Sequence, residues 1–303
     1  MAVLVTGGAG FIGSHIVDRL VSSGQEVLVL DNLSTGRKEL INKDAEFIKF
    51  DLCGDQAQLE GIMEEVDRVW HIAANPDVKK SAHEPKIVYD NNILATYNLL
   101  EAMRKSTPKE IVFTSTSTVY GMADVIPTPE SYPQQPVSVY GATKVCCEAL
   151  ISSYAGSFGM KAWVYRLANI IGPRSNHGVI VDFTSRLKAD SSKLEILGNG
   201  RQKKSYLYVE DCVDGMFAGL KAKENFNLFN VGNTDSIEVN DIAKIVCGSM
   251  KINPSISYSG GDAGWIGDVP VMLLSIEKIK KLGWQPKNNS GEAVERTAKE
   301  ILN

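Results

Sequence analysis

At 303 residues, with 44% hydrophobic, 8% aromatic and 22% charged side chains, the chain has the composition of an ordinary globular protein, long enough for two lobes. Its formal charge of −4 gives no electrostatic reason to bind nucleic acid or an anionic membrane surface, and no apolar run is long enough to span a bilayer. Five cysteines (Cys53, Cys146, Cys147, Cys212 and Cys247) are odd in number and irregular in spacing, which argues against a disulfide framework and a CxxC metal site and for a reducing, cytoplasmic setting.

The first predicted strand, Ala2–Thr6, is too short and too close to the glycines that follow it to be a secretion signal. It runs straight into Thr6-Gly7-Gly8-Ala9-Gly10-Phe11-Ile12-Gly13, and a helix is expected over Ser14–Ser22. Glycines at 7, 10 and 13 have the GxxGxxG spacing. The first permits a tight turn, the second lets the backbone approach a pyrophosphate, and the third lets helix and strand pack closely. Gly7, Gly10, Phe11, Ile12 and Gly13 are therefore the expected pyrophosphate contacts of a dinucleotide.

The second strand, Glu26–Leu30, leads to Asp31, a carboxylate placed to accept from the adenosine ribose hydroxyls and to repel a 2′-phosphate. That favours NAD over NADP, with Arg37 as the counter-signal and Asn32, Ser34, Thr35 and Gly36 completing this side of the site. A third strand, Glu46–Phe50, is followed by Asp51 and Leu52, and a fourth, Arg68–Ala73, by Ala74. In an open sheet, ligands lie beyond the carboxyl ends of the strands, so Asp51, Leu52, Ala73 and Ala74 join the cofactor set. His71 reads as a hydrogen-bonded structural histidine. The helix Pro85–Lys105 is apolar on more than one face, which marks burial on both sides.

The fifth strand, Glu110–Thr116, continues into Ser117-Thr118-Val119-Tyr120-Gly121, and a helix is expected over Tyr140–Tyr154. Tyr140 and Lys144, four apart, share a helix face, so an ammonium beside the phenol is expected to lower its pKa toward that of a general base. A sixth strand, Lys161–Ala168, closes the regular alternation. Beyond it the pattern loosens, although Phe226–Val231 reads as a strand returning to the main sheet. The last helix is expected to be capped by Ser290 and to bury Ala293, Val294, Thr297 and Ile301. The expected fold is α/β, a doubly wound parallel sheet with a smaller C-terminal α/β substrate-binding lobe. Residues 1–168 form the first part, with a return at 206–232; residues 169–205 and 233–303 form the second.

The tyrosine–lysine pair stands twenty-odd residues after a hydroxyl-rich strand end. Asn92-Ile93-Leu94-Ala95-Thr96, Arg166-Leu167-Ala168-Asn169, Gly172-Pro173-Arg174, Tyr208-Val209-Glu210-Asp211 and Gly267-Asp268-Val269 complete an ordered series. Over nearly its whole length the chain resembles the extended short-chain dehydrogenase/reductase family, in its branch of NAD-dependent nucleotide-sugar epimerases and dehydratases. The resemblance implies a Rossmann sheet, Tyr140 as acid/base, Lys144 on the nicotinamide ribose and Thr116 as the catalytic hydroxyl. It also implies Ser115 and Asn92 as cofactor-side contacts, Asn169 near the substrate diphosphate and Asp268 on the nucleotide ribose. Thr118, Val179 and Met272 fall on the substrate side.

A 4,6-dehydratase of this branch carries an Asp-Glu pair after the catalytic threonine, where this chain has Ser117 and Thr118; a decarboxylating relative would carry a glutamate in this stretch. The resemblance therefore implies 4-epimerisation of a UDP-hexose, UDP-glucose or UDP-galactose, with N-acetyl forms admitted by an unbranched Met272. A nucleotide-sugar reductase or dehydrogenase is the alternative, and a non-catalytic NAD sensor a distant one. Two arginines expected at the diphosphate are replaced by Lys204 and Trp265. Similar proteins pair two helices per subunit, which implies a homodimer through helices 85–105 and 140–155.

Overall fold

Continuous apolar runs become strands in the computed structural model, which describes residues 2–106, 109–265 and 267–302. In chain order the strands are β1 (Ala2–Thr6), β2 (Val27–Asp31), β3 (Glu46–Lys49), β4 (Val66–His71), β5 (Glu110–Thr116), β6 (Lys161–Leu167), β7 (Asn169–Ile171), β8 (Lys193–Ile196), β9 (Lys203–Lys204), β10 (Tyr206–Tyr208), β11 (Phe226–Val231), β12 (Ile237–Glu238), β13 (Ser255–Tyr258) and β14 (Val271–Met272). Seven of them form one sheet in the order β11-β6-β5-β4-β1-β2-β3. The pairs β1–β2, β2–β3, β1–β4 and β4–β5 are parallel. From β1 the chain winds outward to β3, then returns to build the other half from β4, so the order reverses between β1 and β4. This is the Rossmann arrangement. β2 is buried at every position, as a strand covered on both faces must be.

The helix after the glycine loop, α1 (Phe11–Ser22), starts three residues earlier than expected, because Gly10 already stands at its N-cap. The expected helix over 85–105 is interrupted in its regularity. It runs as Pro85–Val88, a π-helical turn at Tyr89–Leu94, then Ala95–Lys105. Side chains take up carbonyls around this wider turn: Cys53 Sγ donates to Asp90 O at 3.2 Å, Cys147 Sγ to Asn92 O at 3.4 Å, and Asn91 Nδ2 to Ile87 O at 2.8 Å.

Two units divide the chain: Met1–Val119 with Ser138–Arg166 and Gly219–Phe229, and Tyr120–Val137 with Leu167–Ala218 and Asn230–Asn303. The division differs from the expected boundaries most at two segments, and by a few residues at 167–168 and 230–232. Residues 120–137 belong to the second unit, where Thr128 N–H donates to Leu273 O and Tyr120 Oη to Asn230 Oδ1. Residues 206–218 also belong there, since β10 pairs with β7 and Trp284 Nε1 donates to Asp211 O.

The last helix (Ser290–Leu302) is capped one residue before Ser290. Asn289 Oδ1 accepts from Glu292 N–H and the Glu292 carboxylate from Asn289 N–H, a reciprocal capping box. Ser290 Oγ instead accepts from Tyr206 N–H and donates to Asp235 O. Ala293, Val294 and Thr297 are buried as expected, with Ile301 half-buried.

Candidate active site

The first unit carries the glycine loop. Gly7 has φ +71, and a Cβ there would lie 2.6 Å from the backbone nitrogen of Ala73. A Cβ on Gly13 would overlap the carbonyl oxygen of Gly7. Gly10 caps α1 without a side chain, so the first-turn amides, those of Phe11, Ile12 and Gly13, face the helix entrance with no intrahelical acceptor. Backbone, positive helix end and missing side chains together leave a cradle with room and polarity for a pyrophosphate.

Asp31 ends β2 nearly buried, its Oδ2 accepting from Ala9 N–H at 3.1 Å and its Oδ1 from Leu33 N–H at 2.8 Å. The carboxylate thereby binds the glycine loop to the strand end, and Gly36 lies so close that a Cβ would sit 2.8 Å from Oδ1. Asn32 donates to Asp51 Oδ2 and accepts from Ser34 N–H, while Asp51 Oδ1 accepts from Cys53 N–H. Ser34 and Thr35 are exposed, Ala73 and Ala74 half-buried, and Leu52 is buried as packing. Ala73 N–H donates to Thr6 Oγ1 at 3.3 Å. Asp31 and Asp51 therefore stand at the ends of the adjoining strands β2 and β3, and Ala73 follows β4 beside the glycine loop.

His71 is structural. Its ring nitrogens lie 2.8 Å from Thr6 Oγ1 and 2.9 Å from Thr96 Oγ1, and burial, aided by the charge of Lys144, lowers its pKa to about 3.

Helix α6 (Val139–Phe158) begins where Ser138 Oγ accepts from Gly141 N–H at 3.0 Å and ends at Gly159 in the left-handed region. It buries Tyr140 and Lys144 against the end of β5. The Thr116 hydroxyl, whose influence draws the Tyr140 phenol down, accepts from Thr118 N–H and Thr118 Oγ1, both at 3.2 Å. Lys144 Nζ donates to Thr114 O at 2.9 Å and lies 4.6 Å from the Phe113 ring centroid. Burial pushes Tyr140 up to about 12 against the pull of Thr116, and pulls Lys144 down to about 8. The expected lowering of Tyr140 by Lys144 is thus not realised in the protein alone, because burial outweighs what lowers the phenol.

Asn92 and Ser115 are engaged within the protein. Asn92, buried in the π turn, donates to Thr143 Oγ1 and Asn75 O and accepts from Asn75 N–H, binding the segment after β4 to α6. Ser115 Oγ donates to Glu148, which pairs with Arg166. The sequence reading missed Glu148; its signal is the spacing of four that extends Tyr140 and Lys144 by another turn.

The second unit brings together Lys204, Asp268, Trp265 and Met272. β14 pairs in parallel with β9, setting Met272 beside Lys204. Lys204 Nζ lies 2.5 Å from Asp268 Oδ1 and 4.9 Å from the Trp265 ring centroid, and Asp268 Oδ2 accepts from Gly264 N–H. The lysine at an expected arginine position is therefore neutralised by a buried carboxylate and covered by the tryptophan at the other. Met272 is buried as a packing residue, Asn169 Nδ2 donates to Ser205 O at 3.0 Å, and Val179 opens the helix Val179–Ala189. Among the described residues, no cluster of three or more His, Cys, Asp or Glu could hold a metal, and no helix is long and apolar enough to cross a membrane.

A profile of the NAD dependent epimerase/dehydratase family matches residues 3–232. A solved UDP-galactose 4-epimerase is 45% identical, with a TM-score of 0.92 over 100% of this chain and 99% of that one. The UDP-glucose 4-epimerase of Thermotoga maritima, solved with UDP-glucose, is 34% identical with a TM-score of 0.93, again over 100% and 99%. That of Thermus thermophilus, solved with NAD, is 34% identical with a TM-score of 0.91 over the same shares.

Proposed function

The chain belongs to the NAD dependent epimerase/dehydratase family, and from that premise we propose that it interconverts UDP-glucose and UDP-galactose, or their N-acetyl forms, by epimerisation at C4. The observation that carries this reading is the Tyr140 phenol, buried and drawn down by the Thr116 hydroxyl, with Ser117 and Thr118 next in the chain instead of acids. Redox chemistry at C4 needs the first; expelling a group from C6 would need a proton donor and acceptor that the second does not supply.

Gly7, Gly10, Phe11, Ile12 and Gly13 would hold the NAD pyrophosphate, Asp31 with Asn32, Ser34, Thr35 and Gly36 its adenosine ribose, and Lys144 its nicotinamide ribose. NAD, when bound, supplies a hydride acceptor that later gives the hydride back, and its oxidised ring brings positive charge. With NAD bound, Tyr140 would take the C4 hydroxyl proton as C4 is oxidised to a ketone. Thr116 holds the phenol and the reacting oxygen in line. Once the 4-keto sugar has turned over and is reduced on its opposite face, Tyr140 would give back the proton. The products carry no net oxidation. Burial raises the phenol to about 12, so Tyr140 would work as a base when added positive charge stabilises its phenolate. Lys204 and Asp268 of the second unit are assigned to the diphosphate and the nucleotide ribose.

The test is turnover of UDP-galactose without added cofactor. An epimerase converts it to UDP-glucose with no net NADH; stoichiometric NADH would make it a dehydrogenase, and no conversion of any UDP-hexose would end the proposal. We further infer a homodimer through helices 85–105 and 140–155, because Tyr89 and Tyr97 are 52% and 45% exposed on the first. A monomer in light scattering at micromolar concentration would contradict it. The five free thiols support a cytoplasmic setting.

A further inference from the structure

Three consecutive residues at the end of β5 are each bound to α6. Thr114 O accepts from Lys144, the Thr116 hydroxyl meets Tyr140, and Ser115 Oγ donates to Glu148. Tyr140, Lys144 and Glu148 recur every four residues and therefore form one stripe along the helix. Glu148 is gripped from β6 by Arg166, whose Nε lies 3.0 Å from Oε1 and whose Nη2 lies 2.6 Å from Oε2. Both side chains are almost wholly buried, at 6% and 5% exposure.

Packing alone does not call for such a pair. Removing two charges from water is unfavourable, and apolar side chains of similar volume hold such positions as well or better. What an apolar pair cannot supply is a fixed negative charge one turn from Lys144. The titratable groups that α6 brings near Lys144 are Tyr140, Cys147 and Glu148, and β4 adds His71. Burial keeps the Tyr140 phenol and the Cys147 thiol protonated through the neutral range, and His71 is neutral down to about pH 3. Glu148 is therefore the anion these elements bring to Lys144, and Arg166 lies beyond it.

We propose that Glu148, locked by Arg166 and Ser115, is a positioning residue that holds Lys144 cationic and in register beside Tyr140 while the sugar reacts. The role at the reacting sugar rests on the epimerase reading above. Burial already brings Lys144 down to about 8, so loss of the nearby anion carries its deprotonation into the working range.

Glu148→Gln preserves shape and the hydrogen bond from Ser115 but removes the charge. In the NAD-bound protein, kcat for UDP-galactose should fall at pH 7 with KM unchanged, and the alkaline limb of its pH profile should move about one pH unit toward acid. Titration of the 13Cε resonance of Lys144, assigned by its loss in Lys144→Met, should move the same way. A purely structural role would lower thermal stability and leave both titrations in place, and that result in a folded Glu148→Gln protein overturns the proposal. Should that variant not fold, Glu148→Leu with Arg166→Leu refills the space without charge. The same acidward shift is expected there, and its absence is equally decisive. If the wild-type protein epimerises nothing, the functional reading fails by itself, and the Lys144 titration still decides whether Glu148 holds its charge.

Discussion

Tyr140 and Lys144 are displaced in opposite directions by one cause, burial, which favours the neutral form of each. The phenol alone therefore makes a poor base at neutral pH, and the role proposed for it requires positive charge arriving with the cofactor. Tyr140→Phe removes the proposed proton acceptor while leaving the glycine loop untouched. Turnover should fall by roughly 10²–10⁴-fold with NAD affinity kept; steady-state rates beside equilibrium NAD binding check both halves. His71 offers a separate test, of stability. Its folded pKa is depressed from 6.5 to about 3, so below pH 6.5 the unfolded chain takes up a proton that the folded one refuses. Its contribution is therefore complete above pH 6.5 and lost as the pH falls toward 3. In His71→Gln, the slope of unfolding free energy against pH across this window should decrease by up to about 1.4 kcal/mol per pH unit. Urea unfolding from pH 4 to 6.5 measures it, and an unchanged slope would mean that His71 charges in the folded protein.

At the scale of elements, the join between β1 and α1 depends on atoms that are missing. Gly13→Ala puts a methyl group into the Gly7 carbonyl, forcing the helix start away from the strand. NAD affinity should drop at least tenfold, measured by fluorescence titration, whereas Gly61→Ala, with nothing near its Cβ position and no positive φ, should leave affinity intact. The terminal helix has a different kind of anchor. Asn289→Ala breaks half of its capping box and should cost about 1 kcal/mol of unfolding free energy. The same change at Ser290 would instead strip acceptors and donors from Tyr206 and Asp235. The π turn at Tyr89–Leu94 turns Asn92 inward onto Thr143, one residue from Lys144.

Over the whole molecule, the chain crosses between its two units several times, since Tyr120–Val137 belongs with residues after 167 and Gly219–Phe229 with the first unit. Binding of NAD to the folded chain alone should raise unfolding free energy by about 2.7 kcal/mol at a hundredfold excess over its dissociation constant. Thermal melts across an NAD series should rise steadily, and NADP should give a smaller rise at equal concentration because Asp31 repels its extra phosphate. Equal shifts for both would show that Arg37 outweighs Asp31.

Local patterns in the sequence suffice for the sheet, the glycine loop, Asp31 at its strand end and the Tyr140–Lys144 spacing. Each follows from short-range rules: apolar runs for strands buried on two faces, a helix period of four, and the geometry that only glycine adopts. Resemblance adds Thr116. Interactions between residues far apart in the chain are decided only by tertiary structure, because they depend on which strands and helices become neighbours. Glu148 meets Arg166 and Ser115, Lys204 is neutralised by Asp268 under Trp265, and residues 120–137 join the second unit. The direction of the Tyr140 shift belongs to that second group too. Four-residue spacing places a cation near the phenol, but burial and the carbonyl of Thr114 determine what the cation does.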